Sequence, residues 1–330
     1  VTGAGGSIGA EIARQVAQYA PKELILLGHG EQSIYALLET FTRERIGVPY
    51  RPVIADVADP VAMESVFRIH APGLVFHAAA HKHVPLMEMN PRESMRVNAG
   101  GTLTVARLAG RYGAEKMVLI STDKAVNPTS VMGASKRVAE MVLHEVGRDY
   151  AKTAFMAVRF GNVLGSRGSV IPKFEDQISS GLPVTVTHPE MRRYFMLIPE
   201  AVNLVLQSAA LGTGGELFVL DMGDPVRIVD MAEMLIRLHG YEPYRDVPIV
   251  FTGIRRGEKL FEELFYDPSR VQTTAHEKIF VSNLAIRSSE PGSVTEKVEG
   301  IVSMEDGDIL RVMESLVPEY TPSAPVNGAK

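Results

Sequence analysis

Asp123 and Lys124 stand side by side at the end of the run Ser121-Thr122-Asp123-Lys124. A carboxyl next to an amine supplies an acid and a base within one short stretch, and the hydroxyl of Thr122 adds a partner for a substrate alcohol. Met132 follows eight residues after Lys124 and Lys136 four after that, so the last two share one helix face. The chemistry these groups suit is proton transfer at neighbouring atoms of one substrate. Asp123 is the candidate acid and Lys124 the candidate base, a role that requires its pKa to be lowered by desolvation and nearby positive charge. The plain alternative is an exposed ion pair capping a strand–helix loop. Position in the fold decides between them.

Met117-Val118-Leu119-Ile120 is an unbroken apolar run and reads as a buried parallel strand, and residues 133–141 read as a helix. Ligands of open α/β sheets bind outside the carboxyl ends of strands, which puts residues 121–124 at a reaction site. Upstream, Gly3, Gly6 and Gly9 punctuate Gly3-Ala4-Gly5-Gly6-Ser7-Ile8-Gly9, and Ile8, Ile12 and Val16 then form one helical stripe. Such glycines let backbone approach a pyrophosphate at a helix N-terminus, although a plain helix-entry loop has the same spacing. Strands at 24–27, 53–56, 74–80, 117–121 and 155–160 alternate with helices at 34–41 and 98–112, which predicts a parallel sheet with right-handed crossovers. The small residues Ala78, Ala79 and Ala80 leave room for a flat ring against backbone.

A dinucleotide site normally carries an acid about 20 residues past the glycines, to hold ribose hydroxyls. Here the strand ends Gly28-His29-Gly30-Glu31, leaving Glu31 in the loop as the substitute. With no Arg or Lys there for a 2′-phosphate, NAD is favoured over NADP. Past Gly165 the rhythm breaks around Pro172, Pro183 and Pro189, before helices at 200–211 and 229–239, a strand at 217–221 and a further helix at 255–265. The expected organisation is a dinucleotide-binding domain over 1–165, with 199–221 returning to it. A smaller discontinuous cap over 166–198 and 222–287 binds substrate, and a tail over 288–330 carries one helix and a frayed end.

Of the 330 residues, 45% are hydrophobic and 22% charged, with a formal net charge of -5, which gives no general attraction to nucleic acid. The absence of cysteine removes disulfide and thiolate chemistry. No stretch approaches the roughly 18 apolar residues that span a bilayer. Val1-Thr2-Gly3 opens on a turn that a whole strand should precede, so a segment upstream of Val1 is expected. His77, His81 and His83 invite a metal reading, but further ligands are not evident and structural or loop roles are preferred, so no metal is expected.

Together these residues resemble the extended short-chain dehydrogenase/reductases, through Thr2-Gly3, Gly6, Gly9, Asp56-Val57, His77 to Ala80, Asn98, and the pair at 132 and 136. Within that group the chain is similar to bacterial capsule-type UDP-N-acetylglucosamine 4,6-dehydratases. That likeness rests on His81-Lys82-His83-Val84-Pro85-Leu86-Met87-Glu88, Ser121-Thr122-Asp123-Lys124-Ala125, Arg159-Phe160-Gly161-Asn162-Val163-Leu164, Arg193-Tyr194-Phe195-Met196 and Arg255-x-Gly257-Glu258-Lys259-Leu260. It implies a Rossmann-type doubly wound parallel sheet and a redox-neutral lyase that uses NAD on a UDP-sugar. It also implies a homo-oligomer, tethered to the cytoplasmic face of the inner membrane by a segment upstream of Val1.

Met132 stands where the wider superfamily carries a catalytic tyrosine. A thioether cannot exchange a proton, so either the chemistry is lost or Thr122, Asp123 and Lys124 have taken it over, as the resemblance favours. By the same resemblance Lys136 binds the nicotinamide ribose. Gly3, Gly6, Ser7, Ile8, Gly9, Glu31, Asp56, Val57, Ala78, Ala79, Ala80 and Asn98 surround the cofactor, with Asn98 a bridge from a helix to the active-site strand. Lys82 and Glu88 edge the active site, Asn162 meets the diphosphate, and Arg193, Arg255 and Glu258 lie around the nucleotide. A nucleotide-sugar 4-epimerase and a non-catalytic cofactor-binding protein are the competing readings.

Overall fold

The computed structural model describes residues 1–266, 271–283, 293–301 and 304–322. Five strands, β1 (Leu24–Gly28), β2 (Tyr50–Ile54), β3 (Leu74–His77), β4 (Lys116–Ile120) and β5 (Ala154–Arg159), pair in parallel: β1 with β2, β3 with β4, and β4 with β5. Thr2 bridges Leu27 on one side and His77 on the other, so the glycine turn begins at the middle of the sheet. Beyond β5 the sheet continues with Glu216–Leu220, which is parallel to it, then Ile279–Asn283, antiparallel to that strand, and Gln272–Thr273, antiparallel in turn to Ile279–Asn283. The result is the doubly wound, Rossmann-type α/β sheet that the strand–helix alternation predicts.

The apolar character of β4 follows from burial on both faces. Met117 and Leu119 pack into one core with the helices Gly101–Arg111 and Val131–Asp149, while Val118 packs into the opposite core with Ile12, Val202 and Val205. Alternate residues of a strand face opposite ways, so a strand covered by helices on both sides must be apolar throughout. A separate core of Phe174, Ile178, Val184, Ile228, Ala232 and Ile249 lies within the segments expected to form the cap. It forms where Val184–Val186 pairs with Ile249–Phe251 between the helices Val170–Ser179 and Ile228–Leu238. No helix among the described residues is long and apolar enough to cross a membrane.

Three expectations are corrected. Residues 255–265 are not helical: Gly257 has φ +81°, and a Cβ there would meet Glu88 Oε1 at 2.8 Å and Ser130 Cβ at 2.9 Å. The chain is therefore pressed flat against its neighbours where a helix would need room. Ile279–Asn283, assigned to the cap, is a strand of the main sheet. Beyond 288 the described residues form two helices, Val294–Gly300 and Asp306–Leu316, where one was expected. Their residues Val294, Val298, Ile309, Met313 and Leu316 are buried in the same core as Val138 and Val142. Residues 323–330, expected to fray, lie outside the described residues.

Candidate active site

The turn after β4 is tied to the end of β5: Ser121 N donates to Val158 O at 2.7 Å and Asp123 N to Phe160 O at 3.1 Å. Thr122 caps one tight 3-10 turn, Asp123–Ala125. The Thr122 hydroxyl and Lys124 Nζ both donate to Asp123 Oδ1, each at 2.9 Å. Asp123 is fully buried, and among the described residues its Oδ2 is the one buried side-chain polar atom without a hydrogen-bond partner. Gly161 makes room for that oxygen, since a Cβ there would come within 3.1 Å of it.

Lys124 also donates to Asn162 Oδ1 at 3.3 Å and lies 3.7 Å from Glu262 Oε1. The same carboxylate oxygen is 3.7 Å from Arg193 Nε. The expected lowering of the Lys124 pKa is corrected. Burial pulls it down, but the charges of Asp123 and Glu262 outweigh burial and the opposing Arg193, so it is raised. As the pair stands, Lys124 is an ammonium covering a buried acid.

Ser130 caps the helix Val131–Asp149 by accepting from Gly133 N at 3.0 Å. Met132 and Lys136 are both buried on it, and Lys136 Nζ donates to Ile120 O at 2.7 Å, the last residue of β4. Burial, opposed by Glu140, pushes the Lys136 pKa down to about 8. His77 is fully buried with both ring nitrogens on hydroxyls, Thr2 Oγ1 at 2.7 Å and Thr102 Oγ1 at 3.1 Å. Burial first, then the charge of Lys136, holds its pKa down to about 3, so it is neutral. Among the described residues no cluster of three His, Asp or Glu side chains suits a metal.

A cleft opens over the glycine turn, lined by Gly3, Gly6, Asp56, Val57 and Ala78 to Ala80. Gly3 has φ +64°, and a Cβ on it would strike the backbone of Ala78 and Ala79 at 2.7 Å. A Cβ on Gly9 would collide with Gly3 O, so this glycine serves helix–strand contact and does not line the cleft. Ser7 accepts from Arg167 N at 3.1 Å and Ile8 packs into the core, so neither lines it. Glu31 is exposed at the start of the helix Glu31–Arg43, beside the cleft-lining Gly30; Ser33 and His29 line the cleft as well. Arg96 and Arg167 also line it, unforeseen from the sequence. Arg96 is held by Asp56 Oδ2 at 2.8 Å and by Glu93. Burial opposes ionisation of Asp56, but Ala58 N–H and Arg96 hold its carboxyl below the usual range. Asn98 lies outside the cleft: its amide exchanges hydrogen bonds with His81 N and O, at 2.8 and 3.0 Å, and reaches Ser135 Oγ at 2.9 Å. It is a bridge, but not the one expected: from a π-helical turn, Arg96–Gly100, it reaches the loop after β3 and the helix at Ser135 rather than the strand β4.

The residues assigned to substrate divide. Lys82 reaches Arg167 O at 2.7 Å, and burial, then Arg167 and Lys124, lower its pKa, so it belongs to the same charged neighbourhood as Lys124. Glu88 is corrected: Oε1 accepts from Val131 N at 2.7 Å and Oε2 pairs with Arg256 at 3.2 Å, so it holds the start of the active-site helix. Arg193 spends donors on the carbonyls of Arg192, Lys259 and Leu260. Arg255 and Glu258 pair with each other at 2.6 Å.

Glu140, one helical turn past Lys136, was missed altogether. It is fully buried and accepts from Arg159 at 2.6 and 2.5 Å, from Ser121 Oγ at 2.6 Å and from Arg137 at 3.2 Å. The Arg137 and Arg159 guanidiniums lie 5.3 and 5.1 Å from the Tyr266 ring, whose hydroxyl donates to Ala125 O at 2.5 Å. A sequence signal existed, an acid at i+4 on the Met132–Lys136 face, but its partners lie on other elements.

The model of the polysaccharide biosynthesis protein family matches residues 1–284. The capsular polysaccharide biosynthesis protein CapD of Staphylococcus aureus is 57% identical over 281 residues, 85% of this chain and 47% of CapD, so the chain spans about half the length of that relative. The inverting UDP-N-acetylglucosamine 4,6-dehydratase of Campylobacter jejuni is 33% identical over 268 residues, 79% of this chain and 75% of that protein. The X-ray structure of Pen from Bacillus thuringiensis superposes with TM-score 0.78 at 31% identity, covering 92% of this chain and 97% of that one. With its dinucleotide-type sheet and glycine turn, the chain belongs to the polysaccharide biosynthesis protein family, within the extended short-chain dehydrogenase/reductases.

Proposed function

We propose that the chain is the catalytic part of a nucleotide-sugar 4,6-dehydratase, acting on UDP-N-acetylglucosamine with NAD as resident cofactor. The observation that carries this reading is the Asp123–Lys124 pair at the carboxyl end of β4, with one carboxyl oxygen buried and unpartnered. A buried polar atom without a partner is costly, and such cost is tolerated where a substrate will supply the missing contact. The cleft fits a dinucleotide: its glycines admit backbone-close phosphates, and Arg96 is already committed to two carboxylates, which disfavours a 2′-phosphate.

A single proton on the Lys124–Asp123 hydrogen bond sets the state of both groups. On nitrogen it makes an ion pair; on oxygen it makes an acid beside a free amine. A bound sugar excludes water, and low polarity favours the neutral pair. The dinucleotide, when bound, supplies a temporary store for the hydride moved from C4 to C6. Thr122 accepts a hydrogen bond from the C4 alcohol and, through a water, leads its proton away. Once C4 is a ketone the C5 hydrogen is acidic, and Lys124 takes it. Asp123 protonates the C6 hydroxyl, which leaves as water. Lys124 then returns a proton to C5 as hydride reaches C6, and the proton released at C4 restores Asp123. Met132 exchanges no proton, which is why the pair at 123 and 124 has to.

The test is proton NMR of UDP-N-acetylglucosamine incubated with the protein in deuterated water. The expected product is the 4-keto-6-deoxy sugar with deuterium at C5. Appearance of the galacto isomer, or recovery of unchanged substrate, overturns the reading.

A further inference from the structure

We propose that Glu262 and Tyr266 are positioning residues of this site, holding the turn at 122–126 and its lysine in register without touching the sugar. The inference rests on the dehydratase reading and adds two residues that it does not use. Residues 252–266 cross the turn as irregular chain, and three of their side chains grip three consecutive residues. Lys259 Nζ donates to Val126 O at 2.9 Å, Tyr266 Oη donates to Ala125 O at 2.5 Å, and Glu262 faces Lys124 at 3.7 Å.

The two residues act differently. Tyr266 is a fixed post: its ring is packed by two guanidiniums, and burial raises its pKa, so it stays a phenol and a donor. Without its hydroxyl the carbonyl of Ala125, two residues past the acid, loses its side-chain donor. Glu262 is buried, and one oxygen stands 3.7 Å from both Lys124 Nζ and Arg193 Nε. It is thus a shared counter-ion between the catalytic amine and an arginine expected around the nucleotide. The charged groups facing Lys124 are Asp123 on its own turn, Glu262 on the crossing segment, Arg193 on the strand Arg192–Arg193, and Lys82 on the loop after β3. Two are negative and two positive, so removing Glu262 tips the balance. The crossing segment also carries Arg255 and Glu258, which connects the nucleotide surface to the turn through one piece of chain.

The experiment compares wild type with Glu262→Gln and Tyr266→Phe, both near-isosteric. Expected for Glu262→Gln is an ascending limb of the kcat–pH profile moved to lower pH, with KM for the UDP-sugar changed less than about twofold. Expected for Tyr266→Phe is a kcat lower by about tenfold, the size of one lost hydrogen bond, with KM and dinucleotide affinity kept. An unmoved limb in the first variant overturns the Glu262 role, and wild-type kcat in the second overturns the Tyr266 role. Substrate-free titration of Lys124 by NMR of 13C-labelled lysine, assigned with Lys124→Ala, reads the Glu262 effect even if Tyr266→Phe fails to fold. It also separates the two failures: a wild type that makes no keto sugar ends the dehydratase reading, while an unshifted Lys124 midpoint in Glu262→Gln ends this one.

Discussion

Two clusters of buried charge flank the same turn, and they are built to opposite standards. Behind it, Glu140 accepts four hydrogen bonds, two from Arg159 and one each from Ser121 and Arg137. In front of it, Asp123 has both donors on one oxygen and none on the other, and Glu262 is at ion-pair distance only, 3.7 Å from each cation. A buried charge is tolerable when its hydrogen-bonding capacity is filled. The rear cluster meets that condition and fixes the backbone. The front cluster falls one contact short, and the shortfall marks where a ligand has something to contribute.

The sharpest way to break this contrast is Asp123→Asn, which should cut turnover about a thousandfold, as loss of a general acid does, with the melting temperature little changed. Product formation followed by NMR reads the first and calorimetry the second; retained turnover would place the chemistry elsewhere. Glu140→Ala should do the reverse. Leaving Arg159 buried without its carboxylate costs about 3–5 kcal/mol of stability, measured by urea unfolding. A cost no larger than that of Lys124→Ala would erase the difference between the clusters.

Lys136 gives a pH-dependent version of the same comparison. Its folded pKa, about 8, lies below the ordinary lysine value of 10.5. Between those values the unfolded chain binds more protons, so this group's contribution to stability rises with pH through that window and is at its worst below it. Lys136→Met should flatten the rise, as seen in thermal melts at pH 8 and pH 10. The smallest effect belongs to the surface pair. Arg255→Ala should leave stability within about 0.5 kcal/mol, and raise KM for the UDP-sugar about tenfold with kcat kept. A fall in kcat alone would move Arg255 from nucleotide binding into the chemistry.

Elements with strong local signals were legible in the sequence. The run Met117 to Ile120 reads as a strand because both of its faces are covered, and the glycines at 3, 6 and 9 mark the turn because backbone comes too close there for side chains. The helix predicted at 255–265 is absent because Gly257 is forced to positive φ against Glu88 and Ser130, contacts that local residue order does not reveal. The helix Val294–Gly300 was overlooked because its buried residues Val294 and Val298 are separated by polar ones and pack on a distant helix. The resemblance puts Glu88 at the edge of the active site, yet its carboxylate accepts from Val131 N, a partner 43 residues away.

The amino-acid order by itself determined the sheet, the glycine turn, the acid–amine pair at a strand end and the thioether at 132, since each depends on residues that are neighbours or repeat with a fixed period. Tertiary structure alone decided the charge state of Lys124 and which acids are saturated. Those properties depend on Glu262, Arg193 and Arg159 arriving from other elements, and electrostatic energy follows distance in space rather than distance along the chain.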